Sequence, residues 1–377
     1  MLRHTLGPVN GAYLDYNATA PVRPEAREAV ADALAALGNP SSVHRFGQKA
    51  RHRVEDARAQ VAALVGARPA EVVFMSGGTE ANNLALRGSG RRRILVSEIE
   101  HDSVLGAVPH ATRIPVDGNG VVRVDMIEAA LAAEAEPSLV SVMLANNETG
   151  VIQPVQEVAA RAHAQGALVH CDAVQAAGKI PVDFRALGAD FMSLSAHKLG
   201  GPQGVGALVV REGVALAARL QGGGQERSLR AGTENVPGIV GFGAAASAAR
   251  QTLEGYPLLA ALRDRLERRV RAIVPNSRFF GQDVGRLANT ACFTMPGVPS
   301  ETQVIALDLA GFAVSAGSAC SSGKVRPSHV LRAMGASDAE AGSAIRVSLG
   351  WLTEEVEIDR FLEAWSAVCA RAGARAA

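Results

Sequence analysis

Between residues 72 and 210 the chain passes through seven short aliphatic and β-branched runs, at 72–75, 94–97, 112–116, 139–144, 167–170, 191–194 and 207–210. Each is predominantly apolar instead of alternating with polar residues, so both faces of the expected strands must be covered. Segments with apolar residues at helical spacing lie between them, at 79–86, 126–133 and 155–165. This alternation predicts an α/β fold whose large domain holds a mostly parallel seven-stranded sheet with helices on both faces. Two amphipathic helices are expected ahead of it, over 21–37 and 43–65. In such sheets ligands gather outside the carboxyl ends of the strands, so the residues that follow each run matter most.

Beyond about Arg250 the pattern changes. A charged helix over 257–274, strands at 291–294 and 344–348, and helices over 301–309 and 354–372 suggest a smaller α+β domain. The expected division gives residues 15–250 to the large domain, and 1–14 with 251–377 to the small one. A chain of 377 residues is long enough for both cores. The 38 basic and 37 acidic residues nearly cancel, which argues against direct nucleic-acid or anionic-membrane binding. No run approaches the ~18 apolar residues of a membrane span, and residues 1–10 lack a signal-peptide core. Four scattered cysteines, Cys171, Cys292, Cys320 and Cys369, make neither a CxxC pair nor a disulfide framework. A cytoplasmic protein is expected.

Within 168–201, one apolar run ends in Asp172 and a second, from Asp190 to Leu194, ends in Ser195-Ala196-His197-Lys198. Two buried strands that bring a carboxylate and a lysine to one rim suit pyridoxal phosphate. The lysine forms a Schiff base with the aldehyde, and the aspartate keeps the pyridine nitrogen protonated. Ser195 and His197 are donors suited to the phosphate. For either residue alone, a helix-capping Asp172 or a solvated Lys198 is the competing reading.

Other strand ends add to this. Ser76-Gly77-Gly78-Thr79-Glu80 opens a helix, where free N–H groups and the dipole favour a phosphate; an ordinary turn with Thr79 as N-cap is the alternative. His101 follows 94–97, placed either to stack on a planar cofactor or to lie on the surface. Asn146-Asn147-Glu148 offers amides to a carboxylate or a phenolic oxygen, and is equally a turn. The glycine-rich stretch 221–235 leads to Thr233, a second phosphate ligand or part of a flexible crossing. Arg346 stands inside an apolar strand and needs an anion, either a substrate carboxylate bound bidentately or a structural partner. Cys320 lies among small polar residues and glycines with Lys324 and Arg326 nearby, which predicts an exposed thiol with thiolate character. The other three cysteines sit in apolar or helical contexts that suit packing.

Taken together and in this order, these segments resemble the cysteine desulfurases, pyridoxal phosphate enzymes of the class-V aminotransferase superfamily with fold type I. The similarity runs from Tyr13-Leu14-Asp15-Tyr16-Asn17-Ala18-Thr19 and Gly38-Asn39-Pro40-Ser41-Ser42-Val43-His44 to Ser328-His329-Val330-Leu331 and Glu355-Val356-Glu357-Ile358-Asp359. Its most specific parts are SAHKLGGPQGVGAL at 195–208 and GSACSSG at 317–323. The long segment between Cys320 and Arg346 resembles the NifS/IscS-like subgroup. Ala20 and Thr353-Glu354 depart from the threonines common in the family, away from any expected catalytic role.

The resemblance implies Lys198 as the Schiff-base lysine, Asp172 at the pyridine nitrogen, Gln175 at the ring oxygen and His101 stacked on the ring. It gives the phosphate to Gly78, Thr79, Ser195, His197 and, from a second subunit, Thr233, and so implies a homodimer. Asn147 and Arg346 would bind the substrate carboxylate, with Asn147 also near the cofactor. Lys198, His101 and the nucleophile Cys320 form the implied catalytic set. The implied reaction turns L-cysteine into L-alanine and leaves sulfur as a persulfide on Cys320. An acceptor protein would then take it for iron–sulfur cluster assembly, thio-cofactor synthesis or tRNA thiolation. No intrinsic metal is implied, only transient contact of Cys320 with an iron–sulfur cluster. Selenocysteine lyase, another class-V aminotransferase, and an inactive scaffold of the same fold are the alternatives.

Overall fold

The computed structural model describes residues 11–134, 136–316 and 327–376. A two-residue strand, β1 (Ala12–Tyr13), opens it. The central sheet follows as β2 (Val72–Met75), β3 (Arg93–Ser97), β4 (Thr112–Ile114), β5 (Ser138–Ser141), β6 (Leu168–Asp172), β7 (Phe191–Ser195) and β8 (Gly206–Val210). Across the sheet these lie in the order β2-β8-β7-β6-β5-β3-β4. From β3 to β7 all neighbours pair in parallel, while β8 is antiparallel to both β7 and β2. Only a short turn, Ala196–Lys198, and a loop join β7 to β8. A parallel return needs a crossover of a dozen residues or more, so this short connection forces the reversal.

Each apolar run therefore becomes a strand, with ends shifted by a few residues. The run at 139–144 ends as a strand at Ser141, because β3, its other neighbour, turns away after Ser97. Val142 and Leu144 still donate to the carbonyls of His170 and Asp172. The sheet interior also holds a polar stitch that an apolar pattern does not announce. His170 on β6 is fully buried between Ser141 Oγ on β5 (2.8 Å) and Ser193 Oγ on β7 (2.9 Å).

Helices cover the sheet as the pattern predicts. In Arg45–Leu64 the buried residues Ala50, Val54, Ala57, Val61 and Leu64 recur three and four apart, which makes one apolar stripe. That stripe packs against Val236–Gln251, whose glycines and alanines let the two backbones approach.

The later chain forms β9 (Thr290–Thr294), β10 (Phe312–Ala313), β11 (Ser315–Ala316) and β12 (Ala344–Ser348). β11, β12 and β9 make an antiparallel sheet, and β10 pairs in parallel with β1. A second apolar core lies here, where Ile358, Phe361, Leu362 and Trp365 of the helix Glu355–Ala376 meet Phe293 and Val347. Full burial of side chains this size contributes about 1.5–3 kcal/mol each. An isolated bridge between Asp15 and Ser348 ties the segment after β1 to this sheet and carries it across the carboxyl ends of β6 and β7. Among the described residues no helix is long and apolar enough to cross a membrane.

Candidate active site

A cavity of about 1080 Å³ opens at those strand ends. Asp172 and Lys198 both line it, delivered by two neighbouring parallel strands. Gly78, Thr79, His101, Asn147, Gln175, Ser195, His197 and Arg346 line it as well. Thr233 is exposed and does not line the cavity. Cys320, with its neighbours Lys324 and Arg326, lies outside the described residues.

Lys198 ends the turn that follows β7. Its Nζ donates to the carbonyls of Asn17 (2.7 Å) and Ala18 (2.8 Å). His197 Nδ1 lies 3.1 Å from Thr19 Oγ1. Burial, and then the nearby Lys198 charge, push this imidazole down to about 4, so it is neutral at neutral pH.

Asp172 is 6% exposed and held by two donors. Asn82 Nδ2, from the helix Gly78–Gly88, donates to Oδ2 at 2.7 Å, and the Val174 N–H donates to Oδ1 at 3.0 Å. This fixes an acidic acceptor facing the cavity. The same helix begins at the glycine pair. A Cβ on Gly78 would lie 2.9 Å from Val174 Cγ2, and one on Gly206 of β8 would lie 2.7 Å from the Gly77 carbonyl carbon. Side chains there would push the helix start away from the sheet, so the glycines set its closeness.

Around that helix start a second cavity of about 510 Å³ is lined by Thr19, Thr79, Ser195, His197 and Gln203. Hydroxyls and a helix N-terminus make it a site for a dianion. Asp172 and Lys198 line the larger cavity, which shares Gly78, Thr79, Ser195 and His197 with this one. Phosphate site, acceptor and amine are the groups pyridoxal phosphate needs, and their arrangement here fits it.

His101 Nδ1 accepts from the Ser103 N–H at 3.1 Å, which assigns the proton of the neutral ring to Nε2. Asn146 and Asn147 divide their work. The buried Asn146 caps its own turn, accepting from the N–H groups of Glu148 and Thr149, whereas Asn147 faces the cavity. Arg346 is 3% exposed, and its anion in this structure is Asp15, at 2.7 Å from Nη2. Nη1 donates to the Asn147 carbonyl at 3.0 Å, and Nε is buried without a hydrogen-bond partner among the described residues. Cys171 and Cys292 are buried, and burial pushes both thiols up, which suits packing and not reactivity.

Several residues of this region escape a linear reading. Asn17 belongs to the 13–19 stretch but gave no chemical signal. Asn82, Lys179, Glu100 and Glu148 are buried polar groups. Glu148 lines the cavity, and burial lifts its carboxyl to about 7 while Ser328 Oγ donates to it at 2.5 Å. Glu100, lifted to about 8 by burial, accepts from Ser97 Oγ and the Met143 N–H, each at 2.7 Å. A glutamate in a turn, or an asparagine inside a helix, carries no local mark of such burial.

Comparison with known proteins adds independent findings. The family model described as aminotransferase class-V matches residues 12–361. A cysteine desulfurase of Cereibacter sphaeroides is 46% identical over 366 residues, 93% of this chain and 94% of its own length. An IscS-like cysteine desulfurase of Mycobacterium tuberculosis is 42% identical, covering 96% of this chain and 97% of its own. Among solved structures, a NifS-like protein from Rickettsia africae superposes with a TM-score of 0.89 at 34% identity, covering 95% of this chain and 99% of that one. A structure titled SspA in complex with cysteine gives 0.76 at 31% identity, over 89% and 98% of the two chains.

Proposed function

The chain belongs to the class-V aminotransferase family, and from that premise we infer that it is a cysteine desulfurase that releases sulfur from L-cysteine and leaves L-alanine. The observation that carries this reading is the delivery of Asp172 and Lys198 by adjacent strands to one cavity. Pyridoxal phosphate is the proposed cofactor; bound through its aldehyde, it supplies the electron sink for bond breaking at the substrate Cα. Gly78, Thr79, Ser195 and His197 hold its phosphate, and Thr233 of a second copy completes that site in a homodimer. Asp172, braced by Asn82 and the Val174 N–H, keeps the ring nitrogen protonated by its charge. Gln175 and His101 orient the ring.

Lys198 Nζ takes the proton from the substrate Cα and returns one to the product. Arg346 and Asn147 orient the substrate carboxylate. The Cys320 thiolate attacks the substrate sulfur; an S–S bond forms as the C–S bond breaks, and the carbon fragment takes up protons to become alanine. L-cysteine and the enzyme thiol thus balance alanine and an enzyme persulfide. A sulfur-acceptor protein then removes the persulfide sulfur, for an iron–sulfur scaffold or a thiolation pathway. The division at residues 15 and 250 places the Cys320 segment on the smaller domain. Scattered cysteines support a cytoplasmic setting.

The test is Cys320→Ser incubated with L-cysteine and pyridoxal phosphate. Alanine and persulfide formation should fall to background while the cofactor's visible absorption is retained. Alanine formation at the unmutated rate would remove Cys320 as nucleophile.

A further inference from the structure

Lys179 lies on the segment that follows β6, beyond Asp172 and Gln175, and is only 4% exposed. Buried lysines are rare and need a reason. Its Nζ lies 2.7 Å from Asn17 Oδ1 and 2.7 Å from Gln175 Oε1. Burial, with the positive charges of Lys198 and Arg346, presses this amine well below its ordinary value. Two amide oxygens thus accept from its N–H donors.

Both of those residues line the cavity. The Asn17 carbonyl accepts from both Lys198 Nζ (2.7 Å) and Gln175 Nε2 (2.8 Å). The Asn17 side chain donates in turn to the Asn147 carbonyl (3.2 Å) and to Thr290 Oγ1 (2.9 Å). Since a carbonyl can only accept, Gln175 must point Nε2 at Asn17 and Oε1 at Lys179. Asn289 Nδ2 supplies a second donor to Asn17 Oδ1 at 3.1 Å, but Gln175 Oε1 has no other donor among the described residues. Two lysines therefore share one asparagine, Lys198 on its backbone oxygen and Lys179 on its side chain.

We propose that Lys179 is a positioning residue for the reaction, donating to the amide oxygens of Asn17 and Gln175 and so fixing the seat of the Lys198 amine and the orientation of Gln175 toward the cofactor. This rests on the reading of Lys198 as the lysine that carries pyridoxal phosphate. Lys179 itself does not line the cavity, so its effect passes through its two neighbours.

The experiment uses Lys179→Met, a side chain of similar length without donors, on the full chain. Purified protein is titrated with pyridoxal phosphate, and the visible band of the bound cofactor is followed against pH. The unmutated protein must develop that band; if it does not, the assignment of the cofactor fails, not the role of Lys179 within it. With the band present, Lys179→Met should raise the dissociation constant about tenfold, the equivalent of one buried hydrogen bond. The pH midpoint of the band should also move by about half a unit or more, a change that loss of packing alone does not produce. If the methionine variant does not fold, Lys179→Gln, which keeps one amide donor, carries the same two readings. An unmoved midpoint together with an unchanged dissociation constant, in whichever variant folds, overturns the proposal even if thermal stability falls.

Discussion

The two flanks of the cavity are built by different means. On one, Asp172 and Lys198 sit where β6 and β7 end, and the parallel pairing of those strands alone brings them to a common rim. On the other, the segment around Asp15 and Asn17 meets Asn147, Thr290 and Arg346 through side-chain bonds between residues 130 to 331 apart in sequence. The first flank borrows its precision from a backbone ladder. The second depends on buried polar groups that each need a partner, where one missing donor leaves another group stranded. The difference predicts that changes at the strand ends act on chemistry with the fold intact, while changes at the seam act on the fold as well.

The largest effect expected on the strand-end flank is from Asp172→Asn. The amide keeps the size of the side chain and an acceptor for Asn82 Nδ2 or the Val174 N–H, but removes the charge proposed above to keep the cofactor's ring nitrogen protonated. Turnover of cysteine to alanine should fall by about 10³-fold, or about 4 kcal/mol, with the urea midpoint nearly unchanged. A variant that loses stability as much as activity would erase the contrast. On the seam, Asp15→Ala leaves the Arg346 guanidinium buried without its carboxylate. Breaking a buried pair in this way costs about 3 kcal/mol, to be read from equilibrium unfolding. A cost below about 1 kcal/mol would mean that the pair behaves as an exposed one and that the seam is not the fragile flank.

That contrast also separates what a linear sequence can disclose from what it cannot. The seven strands were readable because each run is predominantly apolar, and the sheet then placed Asp172, Lys198, Gly78, Thr79 and His101 at carboxyl ends where chemistry belongs. The reversal of β8 follows from a connection too short to cross over. Lys179 was not readable: in Ala177-Gly178-Lys179 it looks like a solvated turn lysine, and only Asn17, far away in sequence, explains its burial. The anion for Arg346 stayed undecided for the same reason, since Asp15 lies 331 residues away. Glu100 and Glu148 share that fate, because the pattern of one strand does not report which carboxyl the fold has closed over.

The smallest effect tests the floor beneath the strand ends. His170 is neutral between Ser141 and Ser193, and burial holds it down to about 4 against an ordinary 6.5. A depressed imidazole is fully compatible with the fold above 6.5. As pH falls from 6.5 toward 4 the unfolded chain takes up a proton that the folded chain refuses, so stability is lost in that window. At pH 5 the loss amounts to about 2 kcal/mol. The buried carboxyls work in the opposite sense: Glu100 and Glu148, raised to about 8 and about 7, weaken the fold as pH rises above 4.5 and they must surrender their protons. The unmutated pH profile mixes both slopes, so the informative quantity is the difference between it and that of His170→Gln, whose amide can still join the two serines but does not titrate. Unfolding midpoints at pH 7 and pH 5 should show the variant losing about 2 kcal/mol less than the parent. Equal losses would mean that the imidazole accepts its proton inside the sheet, and that the strand floor is held less tightly than its ladder of backbone bonds implies.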